Sequence, residues 1–186
     1  MKFYISDTHF GHKAMIDWDH RPFKDVNDMD EQIIRNWNDK VSEEDEVYIL
    51  GDFTYRSVHD PEWYLEQLAG KKYLVIGNHD KKMLKNSEAM KHFKNVDKIM
   101  SITDCGKRLH LCHFPMLVWE GKQFGHIHLH GHLHEDKYGV MNSRTIGVNV
   151  YNVGCMLYDY TPVSLEEILK NNCMSREISE LGKTGS

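Results

Sequence analysis

Short clusters of carboxylate, imidazole and carboxamide side chains punctuate this chain: Asp7 with His9, Asp52, Asn78 with His79 and Asp80, His113, and His132 with His134. Oxygen and imidazole donors of this kind suit Mn, Fe, Zn or Ni. Two such cations about 3.5–4 Å apart form a clamp for in-line displacement at phosphorus, provided that a carboxylate is shared between them. Taken singly, each cluster reads as a turn or a cap, because Asp and Asn favour turns on their own account. What changes the reading is recurrence, since each cluster follows an apolar run. The histidines add weight: there are 13 against 4 prolines, and seven lie between His110 and His134, which marks that segment for chemistry.

The elements that would carry these clusters follow from periodicity. Phe3 to Ser6, Glu46 to Leu50 and Lys72 to Ile76 are apolar runs of strand length, ending at Asp7, Gly51-Asp52 and Gly77-Asn78-His79-Asp80. Between them, Met29, Ile33, Ile34, Trp37 and Val41 recur at helical spacing, and Pro61 to Ala69 reads as a helix stopped by Gly70. Strand, helix, strand, helix, strand implies parallel pairing, with ligands placed just past the carboxyl ends. The second half differs, with short strands expected at Lys98 to Thr103, Arg108 to Cys112, Ile127 to His130, Arg144 to Val150 and Cys155 to Tyr160, forming a more antiparallel sheet. Ser164-Leu165-Glu166-Glu167 is a capping box opening a helix through Leu169. A polar tail is expected from about Met174, so the domain is assigned to residues 1–173 and the tail to 174–186.

Composition narrows the function. A chain of 186 residues, 40% hydrophobic, has the size and apolar content of one globular domain. Its net charge of −5 argues against generic attraction to nucleic acid, so phosphate affinity must be local. Asp7 interrupts any signal-peptide run and no long uncharged apolar stretch follows, which points to a cytoplasmic protein without a membrane span. Cys105, Cys112, Cys155 and Cys173 show no C-x-x-C pair and are expected to be reduced. Gly182-Lys183-Thr184 is no phosphate loop, because Glu177 stands where its first glycine belongs. No G-x-S-x-G supports a serine hydrolase.

Together, Asp7-Thr8-His9, Gly51-Asp52, Gly77-Asn78-His79-Asp80, His113 and Gly131-His132-Leu133-His134 resemble the motifs of the calcineurin-like metallophosphoesterases, in order and from Lys2 to at least His134. Ser6 to His12, followed by Arg21-Pro22-Phe23, resembles a compact, uncapped branch of that family. The resemblance implies an αββα sandwich of two mixed β-sheets flanked by helices, with a dimetal site at the carboxyl ends of the strands. It implies two divalent transition-metal ions, with Mn favoured and Fe, Zn or Ni as alternatives. By the same resemblance Asp7, His9 and His134 hold one ion, Asn78, His113 and His132 the other, and Asp52 bridges them, with a hydroxide between the ions as nucleophile. The two cations, two carboxylates and hydroxide leave a nominal site charge of about +1, a local attraction for phosphate in an acidic chain.

His79 is then no ligand but a catalytic group facing the phosphate, with Asp80 orienting it or simply capping the next helix. His12, Arg56 and Arg21 are candidates for substrate oxygens; the alternatives are solvated loop residues and, for Arg21, a structural ion pair. His126, His128 and His130 would share a strand face with His132 and His134 unless Gly131 turns the chain, and a packed sheet face is the reading for them. The expected function is hydrolysis of phosphate esters, diesters or nucleotide-like molecules in preference to monoesters. A phosphomonoesterase and a metal-binding scaffold without turnover are the alternatives, whereas a metallo-β-lactamase-like site lacks its Asp because Gly131 stands there.

Overall fold

The computed structural model describes residues 1–134 and 148–171. Its first sheet is built from the three apolar runs and one further strand: β1 (Lys2–Ile5), β2 (Glu46–Ile49), β3 (Lys71–Val75) and β4 (Phe93–Asp97), paired in parallel in that order. Parallel neighbours need crossovers. These contain α1 (Ala14–Trp18) and α2 (Val26–Lys40) after β1, α3 (Pro61–Leu65) after β2, and α4 (Ser87–Lys91) after β3. Asp25 starts α2, its carboxylate accepting the Asp28 N–H at 3.0 Å, and the helix turns Met29, Ile33 and Trp37 onto the sheet. Burying each large apolar side chain there is worth about 1.5–3 kcal/mol.

The second sheet runs β5 (Ile99–Asp104), β6 (Lys107–Cys112), β7 (Ile127–His130), β8 (Val150–Asn152), antiparallel between β5 and β6 and parallel thereafter. The first sheet also takes an antiparallel bridge, Tyr4 to Val163, on its β1 edge. Both faces of the first sheet are covered, so its strands read as continuous apolar runs. Phe3, Ile5, Val47 and Ile49 pack toward the helices, while Tyr4, Tyr48 and Leu50 meet Leu109, Leu111, Ile127 and Leu129 of the second sheet.

Some expectations shift. Of the strand expected at Arg144 to Val150, residues 144–147 lie outside the described residues, as do Cys173 and the tail 174–186, while Val148 and Asn149 form a turn before β8 begins at Val150. Cys155 to Tyr160 is not a strand but a 3-10 turn and a bend, since this segment joins the two sheets: Val153 N–H donates to His130 O and Cys155 N–H to Ser6 O. The helix at Pro61 ends at Leu65 and continues only as turns toward Gly70. A final helix, α5, spans 165–171, and its capping box is formed, with Ser164 N–H donating to Glu167 Oε2 at 2.8 Å. Because β8 hands the chain to Ser6, the carboxyl ends of β1, β2, β3, β6 and β7 converge on one edge of the sandwich.

Candidate metal centre

Five of the motif residues adopt left-handed backbone: Asp7 (φ 58°), His9 (49°), Asp52 (55°), His132 (69°) and His134 (49°). Each such non-glycine conformation costs on the order of 1–3 kcal/mol and persists only when its surroundings enforce it. Here they do. Asp7 N–H donates to Gly51 O at 3.1 Å and His9 N–H to Asp52 O at 3.0 Å, locking the β1 and β2 loops together. The Asp80 carboxylate accepts from Gly77 N (2.7 Å), Asp52 N (3.0 Å) and Phe53 N (3.0 Å), tying the β2 and β3 loops. Gly131 lets the β7 end approach so closely that a Cβ there would overlap Ser6 Oγ and Asp7 Oδ2.

The donors converge in two groups, Asp7 with His9 and His134, and Asp52 with His113 and His132, whose donor atoms within each group all lie within 4.8 Å of one another. Asp52 Oδ1 accepts the His79 N–H at 2.8 Å, which leaves Oδ2 3.6 Å from His113 Nε2 and 3.7 Å from His9 Nε2, one residue of each group. Asn78 Oδ1 is 3.0 Å from His113 Nε2. Asp7 Oδ2 accepts from Ser6 Oγ at 2.5 Å and His132 N at 3.0 Å, and Oδ1 faces His134 Nε2 at 3.6 Å.

This donor set fits divalent cations. Asp7 Oδ1 and both ring nitrogens of His9 are buried without a hydrogen-bond partner, an arrangement that costs energy unless something else satisfies them. His113 donates Nδ1–H to Leu50 O at 2.8 Å and His134 donates Nδ1–H to Asp19 Oδ2 at 2.6 Å, so both turn Nε2 inward, as ligating imidazoles do. Burial pushes the Asp7 carboxyl up and the His9 and His132 imidazoles down. A cation would relieve the first effect and needs the second, because only neutral imidazole ligates. Burial also opposes charge on His134 and on Asp19, but their mutual contact prevails, raising the imidazole and lowering the carboxyl.

The remaining candidates separate. Arg21 is 3% exposed and stands behind the Asp7 loop: its guanidinium donates to Asp7 O and Thr8 O, each at 2.8 Å, and pairs with Asp19 at 3.2 Å. This is the structural ion pair, with the guanidinium committed to the loop it supports. His12 is buried, not solvated, edge-on to the rings of Trp18 and Tyr55, and burial pushes its imidazole down to about 4. Arg56 is exposed. His79 keeps 34% of its side chain exposed, with Nε2 3.9 Å from Asp52 Oδ2 and its ring centroid 4.1 Å from that of Tyr55. The Asp80 carboxylate bonds backbone N–H groups rather than the His79 ring. His128 and His130 are fully buried on the sheet face turned away from the inter-sheet core, with His126 nearby.

Sequence reasoning missed Asp19, Ser6, Tyr55, Lys81 and Lys82. Asp19 lies in no local motif, and only folding brings it to His134. Lys81 and Lys82 directly follow the Gly77–Asp80 loop, a signal that was there to be read.

A profile of the Calcineurin-like phosphoesterase family matches residues 3–157. An uncharacterized protein of Methanocaldococcus jannaschii is 33% identical over 173 residues, covering 90% of this chain and 89% of the relative. The Gene 66 protein of Mycobacterium phage L5 is 29% identical over 159 residues, covering 70% of this chain and 76% of its own. Among solved structures, a protein of unknown function from Aquifex aeolicus superimposes with a TM-score of 0.71 at 30% identity, covering 91% of this chain and 98% of that one. The five loops at the sandwich edge therefore sit in a fold shared along nearly the whole length of the Aquifex protein, and the chain belongs to the calcineurin-like phosphoesterases, a family of metal-dependent phosphoesterases.

Proposed function

We propose that the protein hydrolyses phosphate esters at a dinuclear centre and prefers phosphodiesters or nucleotide-like esters to simple monoesters. The observation that carries this reading is the position of Asp52 Oδ2 between His9 of one donor group and His113 of the other. Asp7, His9 and His134 would hold one divalent ion, Asn78, His113 and His132 the second, and Asp52 both. Four imidazoles in the set favour Mn or another transition ion over Mg. When bound, the two cations supply Lewis-acid stabilisation of the charge that develops on phosphorus-bound oxygen during displacement.

The chain supplies the rest. His79 stands at the open side of the centre, a third of its side chain exposed, where its ring would protonate a leaving alkoxide, and Tyr55 packs against that ring. Asp80 is a positioning residue, acting through the backbone of the Asp52 and Asn78 loops. The preference for diesters is supported by an apolar surface beside the second donor group, which the second organic group of a diester can occupy. An organic group finds an aromatic surface in Phe114, which is 44% exposed and 4.6 Å from the His132 ring.

The test is kcat/KM of the Mn-loaded protein for bis(p-nitrophenyl) phosphate and p-nitrophenyl phosphate. The diester should be preferred. A tenfold preference for the monoester, about 1.4 kcal/mol in the barrier, would overturn the substrate assignment. Inactivity across monoesters, diesters and nucleotides would replace the enzyme by a metal-binding scaffold.

A further inference from the structure

Past His79 the surface opens into a cleft of about 400 Å³. Arg56, Lys81 and Lys82 line it, together with His59, and no Asp or Glu does. All three cations are exposed, and among the described residues none of them forms an ion pair with a carboxylate. In a chain of net charge −5 this is a local reversal of sign. Like charges gathered around a concavity repel one another, and the field they focus there favours an anion.

The cleft also adjoins the candidate metal centre. Asn78, whose Oδ1 is 3.0 Å from His113 Nε2, lines the cleft, and so does His79. The Arg56 guanidinium lies over the Tyr55 ring, 5.2 Å from its centroid, and Tyr55 in turn packs on His79. Arg56 is held in left-handed backbone, φ 52°, a strained conformation of the kind the donor residues share. Guanidinium, aromatic ring and imidazole thus make one continuous wall from the centre into the cleft. Guanidinium and ammonium groups on a carboxylate-free wall match phosphate oxygens, which accept charge-assisted hydrogen bonds from both.

We propose that this cleft is a subsite for a second phosphate, so that the preferred substrates carry a further phosphate group adjacent to the scissile ester. The proposal rests on the phosphoesterase reading for the identity of the neighbouring centre. A bis-aryl diester leaves the subsite unused, whereas a nucleotide with two phosphates fills it. The second phosphate reaches the cleft either through a diphosphate linkage or across a ribose, and the two routes are distinguished by the choice of probe.

The experiment is calorimetric binding of AMP, ADP and adenosine 3′,5′-bisphosphate to the Mn-loaded protein, alongside hydrolysis of a dinucleoside monophosphate with and without a 5′-terminal phosphate. ADP or the bisphosphate should bind at least about tenfold tighter than AMP, and the 5′-phosphate should lower KM more than it raises kcat. In Lys81→Gln/Lys82→Gln, and separately in Arg56→Gln, the affinity ratio should fall below about threefold. These side chains are exposed, so an unchanged thermal midpoint checks that the fold persists. A ratio near one in the wild type, or a ratio that survives both sets of substitutions, overturns the subsite. Hydrolysis without a ratio leaves the phosphoesterase standing and the subsite refuted. A substitution-sensitive ratio without hydrolysis of any ester leaves the subsite standing and the phosphoesterase reading refuted.

Discussion

His128 and His130 on β7 and His132 and His134 just beyond it alternate along one stretch of chain, and their environments are opposite. His128 donates Nδ1–H to His110 O at 2.9 Å and its Nε2 accepts Met116 N–H at 3.0 Å, so both nitrogens are satisfied inside a fully buried site. His130 donates Nδ1–H to Gly131 O at 2.8 Å, leaves Nε2 buried without a hydrogen-bond partner, and joins no donor group among the described residues. Past Gly131 the chain turns left-handed, and His132 and His134 swing to the sandwich edge with Asp52 and Asp7 as neighbours. Residue type does not separate a structural histidine from a ligating one. The neighbours to which the backbone turn carries it do.

Three substitutions sharpen that contrast. Asp52→Ala should have the largest effect, because it removes the oxygen common to both donor groups: loss of at least one metal equivalent by elemental analysis and a fall in kcat/KM on the order of 10³-fold or more are expected. His128→Ala should spare metal content but destabilise the fold by about 2–4 kcal/mol, since it leaves His110 O and Met116 N–H buried without partners beside a new cavity. Denaturant unfolding at fixed metal loading measures this. Loss of a metal ion from His128→Ala would erase the distinction between the two histidine sets. Asp19→Asn should weaken metal affinity about 10–100-fold without abolishing binding, because His134 keeps its ring but loses the carboxylate that holds its Nδ1 proton.

The smallest effect concerns pH. Burial lowers the His128 imidazole below its ordinary range, although its backbone hydrogen bonds work the other way. The folded state therefore binds fewer protons than the unfolded chain, and the stability this residue contributes is present above the ordinary histidine pKa and lost as pH falls below it. Between pH 7 and 5, His128→Ala should lose less further stability than the wild type. An unchanged slope would mean that His128 is not the titrating group.

The strand ends and most donors were legible because the chemistry is local to them: an apolar run, a glycine, then Asp, Asn or His. The αββα architecture followed from the family resemblance and from strand and helix alternation. β4 escaped notice because Phe93–Asp97 alternates poorly and is largely exposed, and the Cys155 turn was misread because an apolar pattern does not say where two sheets must be joined. Asp19, Arg21 and the meeting of Lys81 and Lys82 with Arg56 in one cleft depend on contacts between separate segments of the chain. Arg21 shows this most clearly, since its charge suggested substrate and its partners are the carbonyls of the loop it supports.

The most direct measurement is anomalous X-ray diffraction from Mn-loaded crystals at the manganese edge. Two peaks about 3.5–4 Å apart are predicted on either side of the Asp52 carboxylate, with no peak at His110, His126 or His128. A single peak, two peaks that do not share Asp52, or a peak on the β7 sheet face would contradict a dinuclear centre built from these strand ends.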